Sequence, residues 1–225
     1  MSLPSLLNAP VHAVMIDLDG TLVDTLGDFE AVLLTVLHEL GLPPVSRAFI
    51  EHTIGKGSEH LIRSLLAEVG AAERFDEAWP RYEAHYLALN GRHATLYPGV
   101  LEGLQALQAL GVPLACLTNK PTAFALPLLA QKGLMPFFRQ VFGGDAFERK
   151  KPDPLPLLRT CEALGSLPAH TLMVGDSSND ARAARSAGCP VVLMDYGYNH
   201  GEPVAAVDSD GTFSRLDTLV QRLSC

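Results

Sequence analysis

Two aspartates follow a short apolar run near the start of the chain. The run Ala13 to Ile16 is typical of a buried β-strand, and Asp17 and Asp19 come directly after it, with Gly20 and Thr21 next. Two carboxylates at the mouth of a buried strand repel each other unless a cation or a reacting centre lies between them. A polar turn is the alternative, because Asp and Gly are ordinary turn residues. The segment therefore predicts a strand that ends in either a charged site or a turn.

Residues 25–90 have helical periodicity and no strand pattern. Apolar residues recur at helical spacing from Phe29 to Leu40, from Leu61 to Leu66 and from about Phe75 to Leu89. The last of these segments carries three aromatic residues on one stripe, Trp79, Tyr82 and Tyr86. We interpret that stripe as packing rather than as a cofactor site. The pattern predicts an all-helical block of three helices that interrupts the rest of the chain.

After Tyr97 the chain alternates between apolar runs and helical segments almost to its end. The apolar runs that predict strands are Val112 to Leu117, Gln140 to Phe142, Thr171 to Val174 and Val191 to Met194. Strands that alternate with helices predict a parallel sheet with helices on both faces and right-handed crossovers. The expected fold is therefore α/β, with a Rossmann-like core formed by residues 11–24 and 96–225 and a helical insert formed by residues 25–95.

Polar residues follow three of the predicted strands. They are Asp17 and Asp19, then Thr118 and Asn119, and then Asp176 and Asp180. Parallel sheets of this kind bind their ligands at the carboxyl ends of the strands. We therefore expect these side chains to meet in one crevice, which Lys151 reaches from the start of a helix.

These residue types suit a metal-assisted phosphoryl site. Asp17, Asp176 and a backbone carbonyl between the first two acids are oxygen ligands for a hard cation, most simply Mg²⁺. The metal and Lys151 would offset charge on phosphoryl oxygens while Thr118 donates a hydrogen bond to one of them. A carboxylate can act as the nucleophile and its neighbour as the general acid. Zinc is not indicated, since no paired His or Cys ligands occur, and neither is a Gly-x-x-x-x-Gly-Lys nucleotide loop.

The charge balance excludes some partners and sets a requirement on the site. With 17 basic and 25 acidic residues the chain has a net charge of −8, which argues against a nucleic-acid surface. An anionic substrate would meet a repulsive overall field. Local positive charge or a bound metal must therefore reverse the potential at the site.

The remaining composition points to a soluble cytoplasmic protein. Cys116, Cys161, Cys189 and Cys225 have no metal-ligand or C-x-x-C spacing, so free thiols in a reducing compartment are expected. Residues 1–10 lack the basic region of a signal peptide. No apolar run approaches the roughly 20 residues that span a bilayer, so no membrane partner is expected.

Four ordered segments resemble the motifs of the haloacid dehalogenase-like phosphatases. They are Asp17 to Thr21, Thr118 to Lys120, Lys151 with Pro152, and Gly175 and Asp176 with Asp180. The helical block between the first two resembles the small cap domain of the phosphoglycolate phosphatase branch. Further segments similar to that branch are Asn119 to Thr122, Gly143 to Asp145, Lys150 to Pro152 and Tyr196 to Asn199. The likeness extends from about Val11 to Pro203.

The resemblance implies a Mg²⁺-dependent phosphomonoesterase that works through an aspartyl-phosphate. Asp17 would be the nucleophile and a metal ligand. Asp19 would protonate the leaving alkoxide, then activate water, and lend its backbone carbonyl to the metal. The other implied roles are phosphate binding by Thr118, Asn119 and Lys151, metal ligation by Asp176, and support of the metal site by Asp180.

The substrate implied by the resemblance is 2-phosphoglycolate, which is hydrolysed to glycolate and phosphate. Gly55 to Gly57 resembles the family's substrate-facing loop, where Lys56 would meet the substrate carboxylate. A solvated loop is the alternative for Lys56. Because cap loops can change substrate without changing the core motifs, a sugar phosphate or a nucleoside monophosphate remains an alternative substrate.

Two other functions are weighed against this one. The β-phosphoglucomutase relatives carry a His twelve residues after the nucleophile, and Phe29 occupies that position here. A mutase is therefore disfavoured. A non-catalytic protein that binds a phosphorylated ligand is the alternative of another class, but such a protein should have lost at least one of the implied catalytic groups, and all are present. The sequence leaves monomer or homodimer open.

Overall fold

A six-stranded parallel sheet lies at the centre of the structure, a computed structural model that describes residues 10–223. The strands are β1 (Ala13–Ile16), β2 (Val23–Asp24), β3 (Thr95–Leu96), β4 (Leu114–Leu117), β5 (Gln140–Phe142), β6 (Thr171–Gly175), β7 (Val191–Met194) and β8 (Thr212–Phe213). The sheet has the order β5-β4-β1-β6-β7-β8, and β2 and β3 form a separate two-stranded ribbon. The predicted α/β fold with a parallel sheet is confirmed.

The helices lie around this sheet and in one insert. They are α1 (Leu26–Glu39), α2 (Arg47–Thr53), α3 (Ser58–Glu68), α4 (Phe75–Leu89), α5 (Val100–Ala109), α6 (Thr122–Gln131), α7 (Leu155–Leu164), α8 (Ser178–Ala187) and α9 (Leu216–Leu223). The first four form a continuous helical insert, residues 26–89, between β2 and β3. Helix α5 follows β3, and α6, α7, α8 and α9 follow the sheet strands β4, β5, β6 and β8.

The central strand β1 is covered on both faces. Val14 and Ile16 pack with α5, α6 and α9, whereas Ala13 and Met15 pack with α7 and α8. All four side chains are fully buried. A strand buried on both faces needs apolar residues at every position, which explains its unbroken apolar run. The predicted placement of helices on both faces of the sheet is confirmed.

The helical insert has its own hydrophobic core. Its largest buried side chains include Leu33, Ile62, Tyr82 and Tyr86, and the aromatic stripe on α4 packs inside it as expected. The insert contains four helices rather than the three predicted, because α2 was missed. This helix is only seven residues long and buries only Ile50 and Thr53, so it produces little periodic signal.

Two connections join the insert to the sheet domain, and they are tied together. Strands β2 and β3 form an antiparallel ribbon in which Val23 pairs with Leu96 and Asp24 with Thr95. The carboxylate of Asp28, at the start of α1, accepts hydrogen bonds from the backbone N–H groups of Gly91 at 2.6 Å and His93 at 2.7 Å. These contacts lie at the predicted boundaries between residues 11–24, 25–95 and 96–225, and that division stays a prediction.

Three further expectations concern the thiols, a signal peptide and membrane-spanning segments. Cys116, Cys161 and Cys189 are buried and free, as expected, and Cys225 lies outside the described residues. The expectation about a signal peptide concerns residues 1–10, of which only Pro10 is described. Within residues 10–223, no helix combines the length and the apolar character that crossing a bilayer requires.

Candidate active site

The loop after β1 folds back tightly and places both aspartates at the carboxyl edge of the sheet. The N–H groups of Leu22 and Val23 each donate to the carbonyl of Leu18 at 3.0 Å. Gly20 has a φ of 83°, and a Cβ at this position would overlap the carboxylate of Asp176. Glycine is therefore required here both for backbone conformation and for close approach.

Three carboxylates from separate segments meet at this edge. Asp17 follows β1, Asp176 follows β6, and Asp180 lies in the first turn of α8, with carboxylate oxygens within 4.8 Å of one another. All three residues are buried. Asp176 accepts hydrogen bonds from the hydroxyl of Thr21 at 2.9 Å and from the N–H of Tyr198 at 2.6 Å. The predicted convergence of the strand ends on one crevice is observed.

Lys151 lies among these carboxylates. Its Nζ is 3.0 Å from Oδ1 of Asp17 and 2.7 Å from Oδ1 of Asp180, and it donates to the carbonyl of Leu117 at 2.8 Å. Only 2% of its side chain is exposed. Two carboxylates and one backbone carbonyl hold this ammonium at the mouth of the sheet, next to the predicted nucleophile.

Asp180 is already occupied by protein groups. Its Oδ2 accepts hydrogen bonds from the N–H groups of Asp176 and Ser177 and from the hydroxyl of Ser177 at 2.8 Å. Its Oδ1 binds Lys151. The carboxylate thus caps α8 and orients Lys151, an arrangement consistent with the supporting role predicted for it.

The electrostatics of the cluster fit a divalent cation. Burial raises the pKa of Asp17 to about 6, although Lys151 acts to lower it. Burial and repulsion from Asp180 and Asp17 raise the pKa of Asp176 well above its ordinary value. Burial opposes the charge on Lys151, but Asp17 and Asp180 raise its pKa above its ordinary value. Three carboxylates around one ammonium leave an excess of negative charge that a divalent ion would neutralise.

One oxygen of this cluster lacks a hydrogen bond. Among the described residues, Oδ1 of Asp17 has no partner with hydrogen-bond geometry, although Nζ of Lys151 lies 3.0 Å away. Buried carboxylate oxygens are normally paired or bind metals. The neighbouring carboxylates of Asp17 and Asp176 are oxygen donors, which suit Mg²⁺ better than zinc.

Asp19 belongs to a separate charge pair that the sequence did not reveal. Nζ of Lys120 lies 2.9 Å from Oδ1 and 3.2 Å from Oδ2 of Asp19. The hydroxyl of Thr25, just before α1, donates to Oδ1 of Asp19 at 2.8 Å. Lys120 belongs to the segment that resembles the second family motif, but nothing in the sequence assigned it a partner 101 residues away.

Thr118 and Asn119 lie at the carboxyl end of β4, as expected, but their surroundings differ. Thr118 is buried and lines a small cavity with Asp17 and Asp19. Asn119 accepts from the N–H of Lys151 at 3.0 Å and donates to the carbonyl of Lys151 at 2.9 Å. It also donates to the carbonyl of Gly55 in the helical insert at 3.0 Å. Its amide therefore joins three segments around the site.

The cavity extends from the aspartates to the helical insert. Its walls on the insert side are formed by Phe29, Gly55, Gly57, Ser58 and Leu61. Lys56, predicted to meet the substrate, is exposed and lies between two glycines of this wall. The structure thus brings the other predicted site residues together but leaves the Lys56 side chain in solvent.

Comparison with known proteins identifies the family. The family model of the haloacid dehalogenase-like hydrolases matches residues 14–194, which include every segment of the site. The chain belongs to this family. A phosphoglycolate phosphatase of Thiobacillus denitrificans is 43% identical over 211 residues, covering 92% of this chain and 93% of that protein. One of Nitrosospira multiformis is 46% identical over 222 residues, covering 96% and 98%.

A solved structure agrees with these relatives. It is described as a predicted phosphoglycolate phosphatase from Haemophilus somnus and superposes with a TM-score of 0.91 at 33% identity, covering 94% of this chain and 97% of that one. The predicted membership of the family and of its phosphoglycolate phosphatase branch is confirmed. The protein is accordingly an enzyme similar to the phosphoric monoester hydrolases of that branch.

Proposed function

We propose that this hydrolase is a Mg²⁺-dependent phosphomonoesterase that converts 2-phosphoglycolate to glycolate and phosphate through an aspartyl-phosphate on Asp17. The observation that carries the proposal is the buried Asp17 oxygen without a hydrogen bond, beside Lys151 and within one cavity with Asp19 and Thr118. The groups proposed as nucleophile, general acid and hydroxyl donor thus face the same small space, and Lys151 contacts the nucleophile beside it.

Asp17 and Asp176, with the backbone carbonyl of Asp19, would hold the metal. Mg²⁺ in this position supplies positive charge to phosphoryl oxygens in a buried site. Lys151 supplies a second positive charge, fixed by Asp17 and Asp180. Thr118 is buried at the end of β4 and faces the same cavity, where its hydroxyl can donate to a phosphoryl oxygen. Together these groups reverse the negative potential that the acidic chain would otherwise present to an anion.

Two displacements at phosphorus complete the proposed reaction. In the first, a carboxylate oxygen of Asp17 forms a bond to phosphorus, the bond from phosphorus to the ester oxygen breaks, and Asp19 gives its proton to the leaving alkoxide. In the second, Asp19 takes a proton from water as that water attacks phosphorus. The bond from phosphorus to Asp17 then breaks, which releases phosphate and restores both carboxyl groups.

The helical insert would serve as a cap over the reaction. Its Gly55 carbonyl accepts a hydrogen bond from Asn119, and Phe29 and Leu61 close the cavity on the side away from the sheet. Exclusion of water while the phosphorylated aspartate forms would protect it from premature side reactions. The small size of the cavity favours a short leaving group such as glycolate over a sugar or a nucleoside.

Steady-state kinetics test this function directly. The purified protein is assayed for phosphate release with Mg²⁺ against 2-phosphoglycolate, sugar phosphates and nucleoside monophosphates, with EDTA in place of Mg²⁺ as the control. We expect the highest kcat/KM for 2-phosphoglycolate and loss of turnover in EDTA. Higher kcat/KM for a sugar phosphate or a nucleotide would reject the substrate, and no turnover of any ester would reject the function.

Lys56 provides a separate test of carboxylate recognition. If its exposed ammonium reaches the substrate carboxylate, Lys56→Ala should raise the KM for 2-phosphoglycolate about tenfold and leave the KM for an alkyl phosphate without a carboxylate unchanged. Arg63→Ala, which removes an exposed cation from α3 of the same insert, is the matched control. Equal changes in KM for both esters would remove Lys56 from substrate recognition.

A further inference from the structure

A buried lysine next to the general acid has no part in the proposed reaction so far. Lys120 follows Asn119 in the loop after β4, and only 1% of its side chain is exposed. Its ammonium contacts both carboxylate oxygens of Asp19, at 2.9 and 3.2 Å. Burial of an ammonium is costly, so a lysine in this position needs full compensation by its neighbours.

Asp19 supplies the opposite charge, and the helical insert supplies further contacts. Nζ of Lys120 donates to the hydroxyl of Tyr86 on α4 at 2.5 Å. It also lies 4.7 Å from the ring centroid of Phe29 on α1 and 4.7 Å from that of Tyr86, distances typical of cation–π contact. The lysine belongs to the sheet domain, whereas the two aromatic residues belong to the insert.

We propose that Lys120 is a positioning residue for Asp19, and that Tyr86 and Phe29 of the helical insert hold Lys120 in the orientation that this requires. The proposal rests on the proposed phosphatase function. Asp19 must transfer a proton to the leaving oxygen and later take one from water, so its carboxyl oxygens must lie in a defined place in both steps. The two contacts with Lys120 and the one with Thr25, which come from separate segments of the chain, fix that place.

The contacts distinguish this role from two others, support of the nucleophile and binding of the substrate. Lys151, and not Lys120, contacts the predicted nucleophile and its supporting carboxylate, so Lys120 serves the general acid rather than the attacking group. Lys120 also lines the cavity, but its donors are directed at Asp19 and Tyr86 and are thereby engaged with protein groups. Lys120 therefore acts through Asp19.

Lys120→Met is the first test, because methionine keeps an unbranched apolar stem among the aromatic rings and removes the ammonium. With Mg²⁺ and 2-phosphoglycolate we expect kcat to fall by roughly 10- to 100-fold, with KM within threefold of wild type.

A second substrate, p-nitrophenyl phosphate, loses its leaving group as a stable anion that needs no proton. In Lys120→Met the first turnover of this substrate should keep the wild-type rate. The steady-state rate should fall, because hydrolysis of the aspartyl-phosphate needs Asp19 as a base. The result is a burst of about one p-nitrophenolate per enzyme molecule.

Three results would overturn the proposal. They are an unchanged kcat in Lys120→Met, a burst rate that falls as much as the steady-state rate, and a rise in KM for 2-phosphoglycolate alone. The last would make Lys120 a binding group for the substrate carboxylate. If the wild type hydrolyses no ester at all, both the proposed function and this inference fail. If only the variant assays give one of the three results, the function stands and the inference fails.

Tyr86→Phe keeps the test valid if Lys120→Met does not fold. This change removes one hydroxyl and leaves both charged groups in place, and we expect kcat to fall about three- to tenfold with KM unchanged. Tyr82→Phe is the matched comparison, since it removes a buried hydroxyl from the same helix that bonds Ser58 rather than Lys120. Equal kcat values for the two tyrosine variants would contradict the coupling between the insert and Lys120.

Discussion

Asp17 combines two properties that a structural carboxylate does not need. It is buried with a raised pKa, and one of its oxygens has no hydrogen bond in the described part of the chain. We predict that Asp17→Asn lowers kcat by roughly 10³-fold or more, because an amide is a poor nucleophile and a poor metal ligand. The assay is Mg²⁺-dependent phosphate release, with Asp208→Asn, an exposed acid, as the control. Substantial remaining activity would assign the nucleophile elsewhere.

Asp19 differs from Asp17 in its surroundings and in the role we expect for it. It is paired with Lys120 and Thr25 rather than with the carboxylate cluster. We predict that Asp19→Asn lowers kcat by roughly 10²- to 10⁴-fold, the usual contribution of a general acid–base. Mass spectrometry of the variant during turnover of p-nitrophenyl phosphate, whose leaving group needs no proton, should detect phosphorylated protein, because the water-activating step is lost. Near-normal kcat would move the acid–base role to another group.

The sequence predicted the residues of the site better than their contacts. A parallel sheet brings residues at strand ends together, so the meeting of Asp17, Asp176 and Lys151 follows from the pattern of strands. The strand pattern does not predict the pairing of Asp19 with Lys120. That contact depends on how the loop after β4 packs against the helical insert. Lys56 shows the converse, since a motif gave it a role and the structure leaves its side chain exposed.

The junction between the insert and the sheet domain depends on one buried acid. Asp28 accepts hydrogen bonds from the N–H groups of Gly91 and His93 and thereby ties α1 to the segment that leaves the insert. In Asp28→Asn the amide group would face one of these donors, leaving a buried N–H without an acceptor. We predict a loss of about 1–3 kcal/mol in the free energy of unfolding.

Urea unfolding followed by circular dichroism measures that loss. Asp76→Asn is the control, because Asp76 is an exposed acid in the first turn of α4. If both variants lose equally little stability, the contacts of Asp28 contribute nothing net to the junction.

Length and burial decide which elements the sequence could predict. The sequence predicts long amphipathic helices such as α1 and α4 and fully buried strands such as β6 and β7. The ribbon of β2 and β3 is not predicted, since each strand has two residues and pairs across more than 70 positions. Helix α9 is not predicted either, because it has only eight residues and buries three of them, Leu216, Leu219 and Val220.

At the scale of the whole molecule, the overall charge and the site charge oppose each other. The net charge of −8 repels anions, and the three-carboxylate cluster adds to that repulsion. The lysines that offset it are buried at the site and not spread over the surface. A protein of this design should therefore depend on a divalent cation for its stability as well as for its activity.

The raised pKa of Asp17 gives this dependence a definite pH range. The pKa of Asp17 is about 6 in the metal-free folded protein, against an ordinary value of 3.8 in the unfolded chain. The folded state therefore binds this proton more tightly. Protonation of Asp17 therefore stabilises the folded state. This contribution is fully present below pH 3.8 and is lost as the pH rises through about 6. Above that range Asp17 is ionised and the metal-free site has an excess of negative charge. A bound divalent cation therefore adds most to the stability of the fold there.

We predict that adding Mg²⁺ in place of EDTA raises the thermal unfolding temperature more at pH 8 than at pH 5. At pH 5 a proton on Asp17 competes with the metal, whereas at pH 8 the carboxylate is free to bind it, and binding to the folded state alone raises its stability. Asp17→Asn should lose most of the Mg²⁺-induced shift at pH 8, and Asp208→Asn should keep it. A shift of equal size at both pH values would mean that the cation binds somewhere other than the buried carboxylates, since exposed acids are ionised across this whole range.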